Sequence, residues 1–360
     1  MIRQEIRKSP TWPLRAAGLG LVLLLFLFLL PALLLPGKGR EREEDQPLPS
    51  PLPTATLPLV EPTVASPVSG WDQSQTLRLL RGDGQVEKLT LRDYLWRVTA
   101  AEMPASFQLE ALKAQTVAAR TYCLYQRSGT GDKHPGADVC DDYTCCQAYL
   151  TPEQAAVGWG AEAETYAAKI NRALLETDGL LCLYEGKPID AVFFSSTAGR
   201  TSDAVSVWGT EIPYLSAVDS PEGEEVPGWQ TVVTFSLEDF SARFRGTYPE
   251  ADLTVPPQDW FRDLVLDDSG VVTTVTIGGV SLSGGQARSL FGLRSAHFTA
   301  AATEEGVTFW VTGYGHAVGM SQYGANAMAG EGKNFQEILE WYYTGVTVGG
   351  LVSPDTEAGG

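Results

Sequence analysis

A glutamate in the run AAEMP, one histidine grouped with three cysteines, and two segments rich in Gly and Ser carry the chemistry this sequence offers. Glu102 sits just ahead of Met103-Pro104, where a helix must end because the residue before proline is pushed out of the helical region. A carboxylate there faces the negative end of the helix dipole, and apolar neighbours disfavour its ion. Both effects raise its pKa, as a general acid working near neutral pH requires. A solvated glutamate at a helix end is the plain alternative. On the next helix Lys113 and Arg120 are seven apart and share a face, turned either to a groove or to solvent.

His134, Cys140, Cys145 and Cys146 fall within 13 residues. Four such groups can close a tetrahedral structural zinc site, although the spacing is no finger or ribbon pattern. A disulfide from Cys140 to Cys145 or Cys146 fits an oxidising compartment, and free thiols also fit. Cys123 and Cys182 read as small buried hydrophobes. In SSTAGRTSDAVSVWG, Ser195, Ser196 and Thr197 either bond a polar ligand or close a turn on their own backbone. In GYGHAVGMSQYGANAMA, the glycines around His316 imply close backbone approach, and a helix begins near Ser321. There is no G-x-S-x-G elbow, dinucleotide fingerprint or P-loop.

These residues need elements to hold them. Strands are expected at Leu77–Leu80 and Glu87–Leu89, then a helix capped by Thr90 with Leu91, Leu95, Val98 and Ala101 on its apolar side. Ser106 is the expected cap of a second helix of about 20 residues. Helices follow at Thr151–Trp159 and Ala161–Thr177. Strands are expected at Leu180–Tyr184, Ile189–Ser195, Thr231–Ser236, Leu264–Asp267, Val271–Ile277, Val280–Leu282 and Val307–Thr312. A short helix covers Leu237–Phe244, and two more run from Gln322 to Gly330 and from Phe335 to Tyr343. Helices first and strands later is an α+β pattern: a mixed helical and β-sheet domain over 71–350, with a smaller inserted lobe at 221–299.

The chain has 360 residues, 26 basic against 44 acidic, for a net charge of −18. That balance argues against a nucleic-acid partner, since phosphate backbones are bound by clustered Lys and Arg. Ala16 to Pro36 is a 21-residue uncharged run, long enough to cross a bilayer as a helix. Basic residues in 1–15 favour a cytoplasmic N-terminus, which makes 16–36 a single transmembrane helix. A cleaved signal peptide is the other reading, but the run is long for one and no Ala-x-Ala site follows. Seven prolines in Gln46–Gly70 make 37–70 an extended extracytoplasmic linker. Residues 351–360 are a tail.

Taken in order, AAEMPASFQLEALKAQTVAARTY, HPGADVCDDYTCCQAY, SSTAG with VWG and PYL, and GHAVGMSQYGA with a later WYYTGV resemble the stage II sporulation protein D (SpoIID) family over about Val86 to Val346. The resemblance implies a membrane-anchored lytic transglycosylase that cuts peptidoglycan between N-acetylmuramic acid and N-acetylglucosamine and leaves a 1,6-anhydro ring. It implies Glu102 as the single acid and base. Lys113, Arg120, Ser196, Thr197, His316, Ser321, Gln322 and Tyr323 are expected around the glycan groove. It also implies structural zinc on His134, Cys140 and Cys146, with Cys145 where the family pattern has histidine; no organic cofactor is implied. A catalytic zinc is disfavoured, because four protein ligands leave no open position. The implied partners are peptide-stripped glycan strands, a sporulation amidase and a membrane scaffold protein, met at the mother-cell membrane during septal remodelling and engulfment. A non-enzymatic glycan-binding enhancer of an amidase is the alternative. Two residues depart from the family pattern: Arg200 replaces the glycine after Ser-Thr-Ala-Gly, and Ala317 replaces the one after Gly-His.

Overall fold

The computed structural model describes residues 66–128 and 133–351. The expected N-terminus 1–15, the anchor 16–36, residues 37–65 of the linker and residues 352–360 of the tail lie outside them. Among the described residues no helix is long and apolar enough to cross a membrane.

The first elements form the walls of the Glu102 region. A single helical turn, α1 (Trp71–Ser74), precedes the hairpin β1 (Thr76–Leu80) and β2 (Val86–Thr90). Thr90 then caps α2 (Leu91–Glu102), its Oγ1 accepting the Asp93 N–H at 3.0 Å. Leu91, Leu95 and Val98 bury the expected face. Ser106 does not cap the next helix. It lies in the turn Pro104–Phe107, and α3 runs from Leu109 to Ser128. Thirteen successive residues of α3, Ala111–Cys123, are buried. No amphipathic stripe explains that, and the reason is position: α2, α5, α9 and α10 all pack around α3. β3 (Val139–Cys140) joins β1 in parallel, which draws the cysteine segment onto the hairpin. α4 (Pro152–Trp159) starts in a capping box of Thr151 and Gln154, and α5 (Ala163–Glu176) follows.

After α5 come β4 (Leu181–Tyr184) and β5 (Lys187–Pro188). The strand expected at Ile189–Ser195 shrinks to β6 (Phe193–Phe194). Its flanks bond elsewhere: the Val192 N–H turns back to Asp190 O, and Ser195 O accepts the Tyr323 N–H. A short helix, α6 (Ala204–Trp208), follows.

A second apolar cluster is built on β7 (Gln230–Phe235), α7 (Leu237–Thr247), β8 (Phe261–Leu266), β9 (Val272–Ile277), β10 (Val280–Leu282), α8 (Gly284–Phe291), β11 (Phe298–Thr303) and β12 (Gly306–Thr312). Two antiparallel sheets, β11-β12-β7 and β10-β9-β8, supply it. Phe240 and Phe291 stack at 4.9 Å in its centre. The chain then returns through β13 (Met320–Ser321), which pairs in parallel with β6, into α9 (Gln322–Gly330), α10 (Phe335–Tyr342) and β14 (Thr347–Gly349) beside β4. The mixed helix-and-sheet architecture is α+β.

Candidate functional site

Glu102 ends α2, where Met103 N–H still bonds Thr99 O and Pro104 stops the helix. Its Oε1 accepts the backbone N–H of Ala148 at 2.5 Å, and its carboxyl also bonds the side chain of Gln322. Burial pushes the Glu102 carboxyl above its ordinary value, while the bonds from Ala148 and Gln322 favour the ion and limit the rise. Gln322 is the first residue of α9, and its Nε2 also reaches Gln115 Oε1 on α3 at 3.3 Å. Gln115 Nε2 is buried with no partner among the described residues.

The other sequence candidates fall in different places. Ser321, Ser196 and Thr197 are at most 3% exposed and belong to a buried wall. Ser321 Oγ and the N–H and Oγ1 of Thr197 all donate to Glu222 Oε1, and Ser220 Oγ donates to Oε2. Ser196 pairs with Tyr314 through the backbone. The Tyr323 ring packs edge-on against Phe107 at 4.9 Å. His316 spends both ring nitrogens on backbone, Nε2 on Phe193 O at 3.0 Å and Nδ1 on the Val318 N–H at 3.2 Å. Burial pulls it down to about 4, so it is neutral near pH 7 and holds a loop.

Lys113 and Arg120 do not join a groove. Lys113 is 9% exposed and bridges Glu110 and Glu176. Arg120 is wholly buried, held by both carboxylate oxygens of Asp72 and by Leu180 O. Their shared helix face points into the protein, which the spacing of seven could not decide.

Sequence reading missed three acids. Glu222 anchors the wall just described. Asp72 neutralises Arg120. Asp190 Oδ1 is buried and lacks a partner among the described residues, and burial pushes the carboxyl up to about 6 despite the nearby Lys133. The one sequence signal for Asp190 was an acid inside the apolar run PIDAVFF.

His134, Cys140, Cys145 and Cys146 come together as a second cluster, with their ligand atoms all within 4.8 Å of one another. His134 Nε2 lies 3.1 Å from Cys146 Sγ and 3.8 Å from Cys145 Sγ. Tetrahedral zinc with bonds of roughly 2.0–2.3 Å sets its ligand atoms about 3.3–3.8 Å apart, so the four residues fit the metal after small adjustments. Two residues past Cys146, Ala148 delivers its N–H to Glu102. The loop that gathers the thiols is therefore the loop that touches the acid.

Comparison with known proteins places this sequence among relatives. The family model for stage II sporulation protein (SpoIID) matches residues 81–184, which contain both Glu102 and the His/Cys cluster. Stage II sporulation protein D of Bacillus amyloliquefaciens is 36% identical over 265 residues, 73% of this chain and 75% of the relative. The protein of the same name in Bacillus subtilis (strain 168) is equally similar over the same shares. The amidase enhancer of Bacillus subtilis is 30% identical, over 69% of this chain but 39% of its own length.

Proposed function

Because the chain belongs to the stage II sporulation protein D family, we propose that it is a lytic transglycosylase of peptidoglycan with Glu102 as its acid and base. The observation that carries this reading is Glu102 itself: a carboxyl raised by burial and positioned by two bonds. Protonated, it donates to the glycosidic oxygen as the bond from muramic acid C1 breaks. The resulting carboxylate then takes the proton of the C6 hydroxyl as that oxygen closes on C1. No water is consumed and one carboxyl suffices, unlike ordinary glycoside hydrolysis. Gln322, bonded both to Glu102 and to Gln115, positions the carboxyl. Zinc on His134, Cys140, Cys145 and Cys146 would serve as a structural cross-link for the loop that carries Ala148. On this reading residues 16–36 anchor the domain on the outer side of the membrane. A sporulation amidase that strips stem peptides and a membrane scaffold act with it.

A second reading, a glycan-binding enhancer of an amidase, is favoured by the likeness to the amidase enhancer. Mass analysis of glycan strands, with and without stem peptides, separates the two after incubation with wild type or Glu102→Gln. Anhydro-muramic ends made by wild type alone support the transglycosylase. A folded wild type that binds strands and leaves them intact supports the enhancer.

A further inference from the structure

A cavity of about 180 Å³ lies between α6, the first turn of α8 and the Gly315–His316 backbone. Cavities near 150 Å³ hold one benzene-sized group, so this one takes a single ring or a short acid-bearing branch. Arg288 lines it together with Trp208, Ser206, Thr273 and Ser289. Arg288 bonds Leu293 O through Nε at 3.4 Å, and its two terminal nitrogens have no partner among the described residues. Burial pulls its guanidinium below the ordinary value, with the nearby Tyr314 acting the other way. Arg294, also half-buried and without a carboxylate partner among the described residues, lies over the Tyr314 ring at 4.3 Å. Two guanidinium groups flank one tyrosine, and among the described residues no acid pairs with either. A partly desolvated cation without a counter-ion is costly, and an arriving carboxylate offsets that cost through paired charge-assisted bonds. Trp208, 43% exposed and packed on His316 at 5.6 Å, offers an indole face to a sugar or peptide at the mouth.

We propose that this cavity is a carboxylate-binding subsite for the wall polymer, with Arg288 as its anchor. The inference rests on the glycan reading above and names the acidic group that the chain selects. The segment His316–Gln322 joins the subsite to the acid: His316 lines the cavity and Gln322 touches Glu102. Six residues span at most roughly 20 Å, within reach of a strand of a few sugars. The carboxylate has two sources, the lactyl group of a peptide-free muramic acid and the acid groups of a stem peptide.

Titration calorimetry tests the subsite on the full-length chain in a Glu102→Gln background, so that no strand is cut. Three probes of equal length are used: a peptide-free muramic-containing tetrasaccharide, the same strand with stem peptides, and chitotetraose, which bears no carboxylate. The expected result is that one muramic-containing strand binds at least about tenfold tighter than chitotetraose, a preference that salt erodes and Arg288→Gln removes. Which strand is preferred identifies the source of the carboxylate. The salt series needs no cavity variant, so it stands even if Arg288→Gln misfolds. Equal or absent binding of all three probes, or a preference indifferent to salt and kept by folded Arg288→Gln, overturns the subsite. Strand cleavage by the wild type is scored separately. Cleavage without carboxylate preference sinks the subsite alone, and preference without cleavage sinks the transglycosylase reading alone.

Discussion

Glu102 combines two demands that conflict, since the burial that raises its pKa also makes its ion unwelcome. The folded pKa lies above the unfolded one, so the folded state binds the proton more tightly. Below the unfolded value both states are protonated and the residue costs nothing. Stability then declines as pH rises through the interval between the two values, and the loss persists at neutral pH. Glu102→Gln is therefore expected to melt higher than wild type near pH 7, with the gap closing under acid, while strand cleavage drops at least about 100-fold. Melting curves across pH read the first effect, and a stability gap over wild type no larger at pH 7 than at pH 4 contradicts the assignment. Cleavage by wild type should in turn fall as pH rises past the glutamate range, because the ionised form cannot donate. Ala317 is a second residue under tension. Its φ is +68°, a left-handed conformation that an L-residue holds at a cost of about 1–2 kcal/mol. The Ser202 N–H fixes its carbonyl there at 2.7 Å. Ala317→Gly relieves the clash but frees the unfolded chain, for a net gain of about 1 kcal/mol or less in denaturant unfolding. Arg200, the other departure from the family pattern, lies on the surface paired with Asp219.

At the scale of elements, the caps and stops acted locally and were legible. Thr90, Thr151 and Pro104 each work within a few residues, so α2 and α4 emerged with nearly the expected bounds. Glu102 and the His/Cys cluster were legible for the same reason, as short runs of distinctive residues. What escaped depends on distant partners. β11 reads FTAAAT, weak in strand formers, and exists because β12 pairs along its whole length. α8 opens on two glycines that look like a turn, yet a Cβ on Gly284 would meet Val272 O at 1.9 Å. Close packing on β9, not helix propensity, requires glycine there. Glu222 gathers Thr197 and Ser321 from 25 and 99 residues away, a meeting no spacing rule anticipates. Arg120 was misplaced because a helical face says which residues share a side, not what covers it. Its cover is Asp72, which ties α1 to α3 through two bonds at 2.6–2.7 Å. Removing one partner of such a buried pair strands the other, so Asp72→Ala should cost about 3–5 kcal/mol. The double variant Asp72→Leu/Arg120→Met should recover much of that loss. Denaturant melts of the single and the double variant test the pairing, and equal losses in the two would refute it.

Over the whole molecule, one loop connects the His/Cys cluster to Glu102. Residues 139–148 begin as β3 against the hairpin, gather Cys140, Cys145 and Cys146 around His134, and end with the Ala148 N–H on Glu102. Without a cross-link the loop is held by the two residues of β3, by turns at Asp142 and by single contacts such as Arg81 with Asp141 and Lys133 with Cys145 O. Zinc binding only the folded arrangement would stabilise it by mass action, about 2.7 kcal/mol at a hundredfold excess over Kd. A chelator should therefore lower the melting temperature and, before global unfolding, strip hydrogen-exchange protection from Ala148. Cys145 decides whether the site is complete. If it is the fourth ligand, Cys145→His keeps the metal, while Cys145→Ala weakens binding and lowers the thiolate-to-cobalt absorption of the Co²⁺-substituted protein. An unchanged cobalt spectrum in Cys145→Ala would remove Cys145 from the site and leave three ligands. A position would then be open, and the argument that four closed ligands make the metal structural would fail with it.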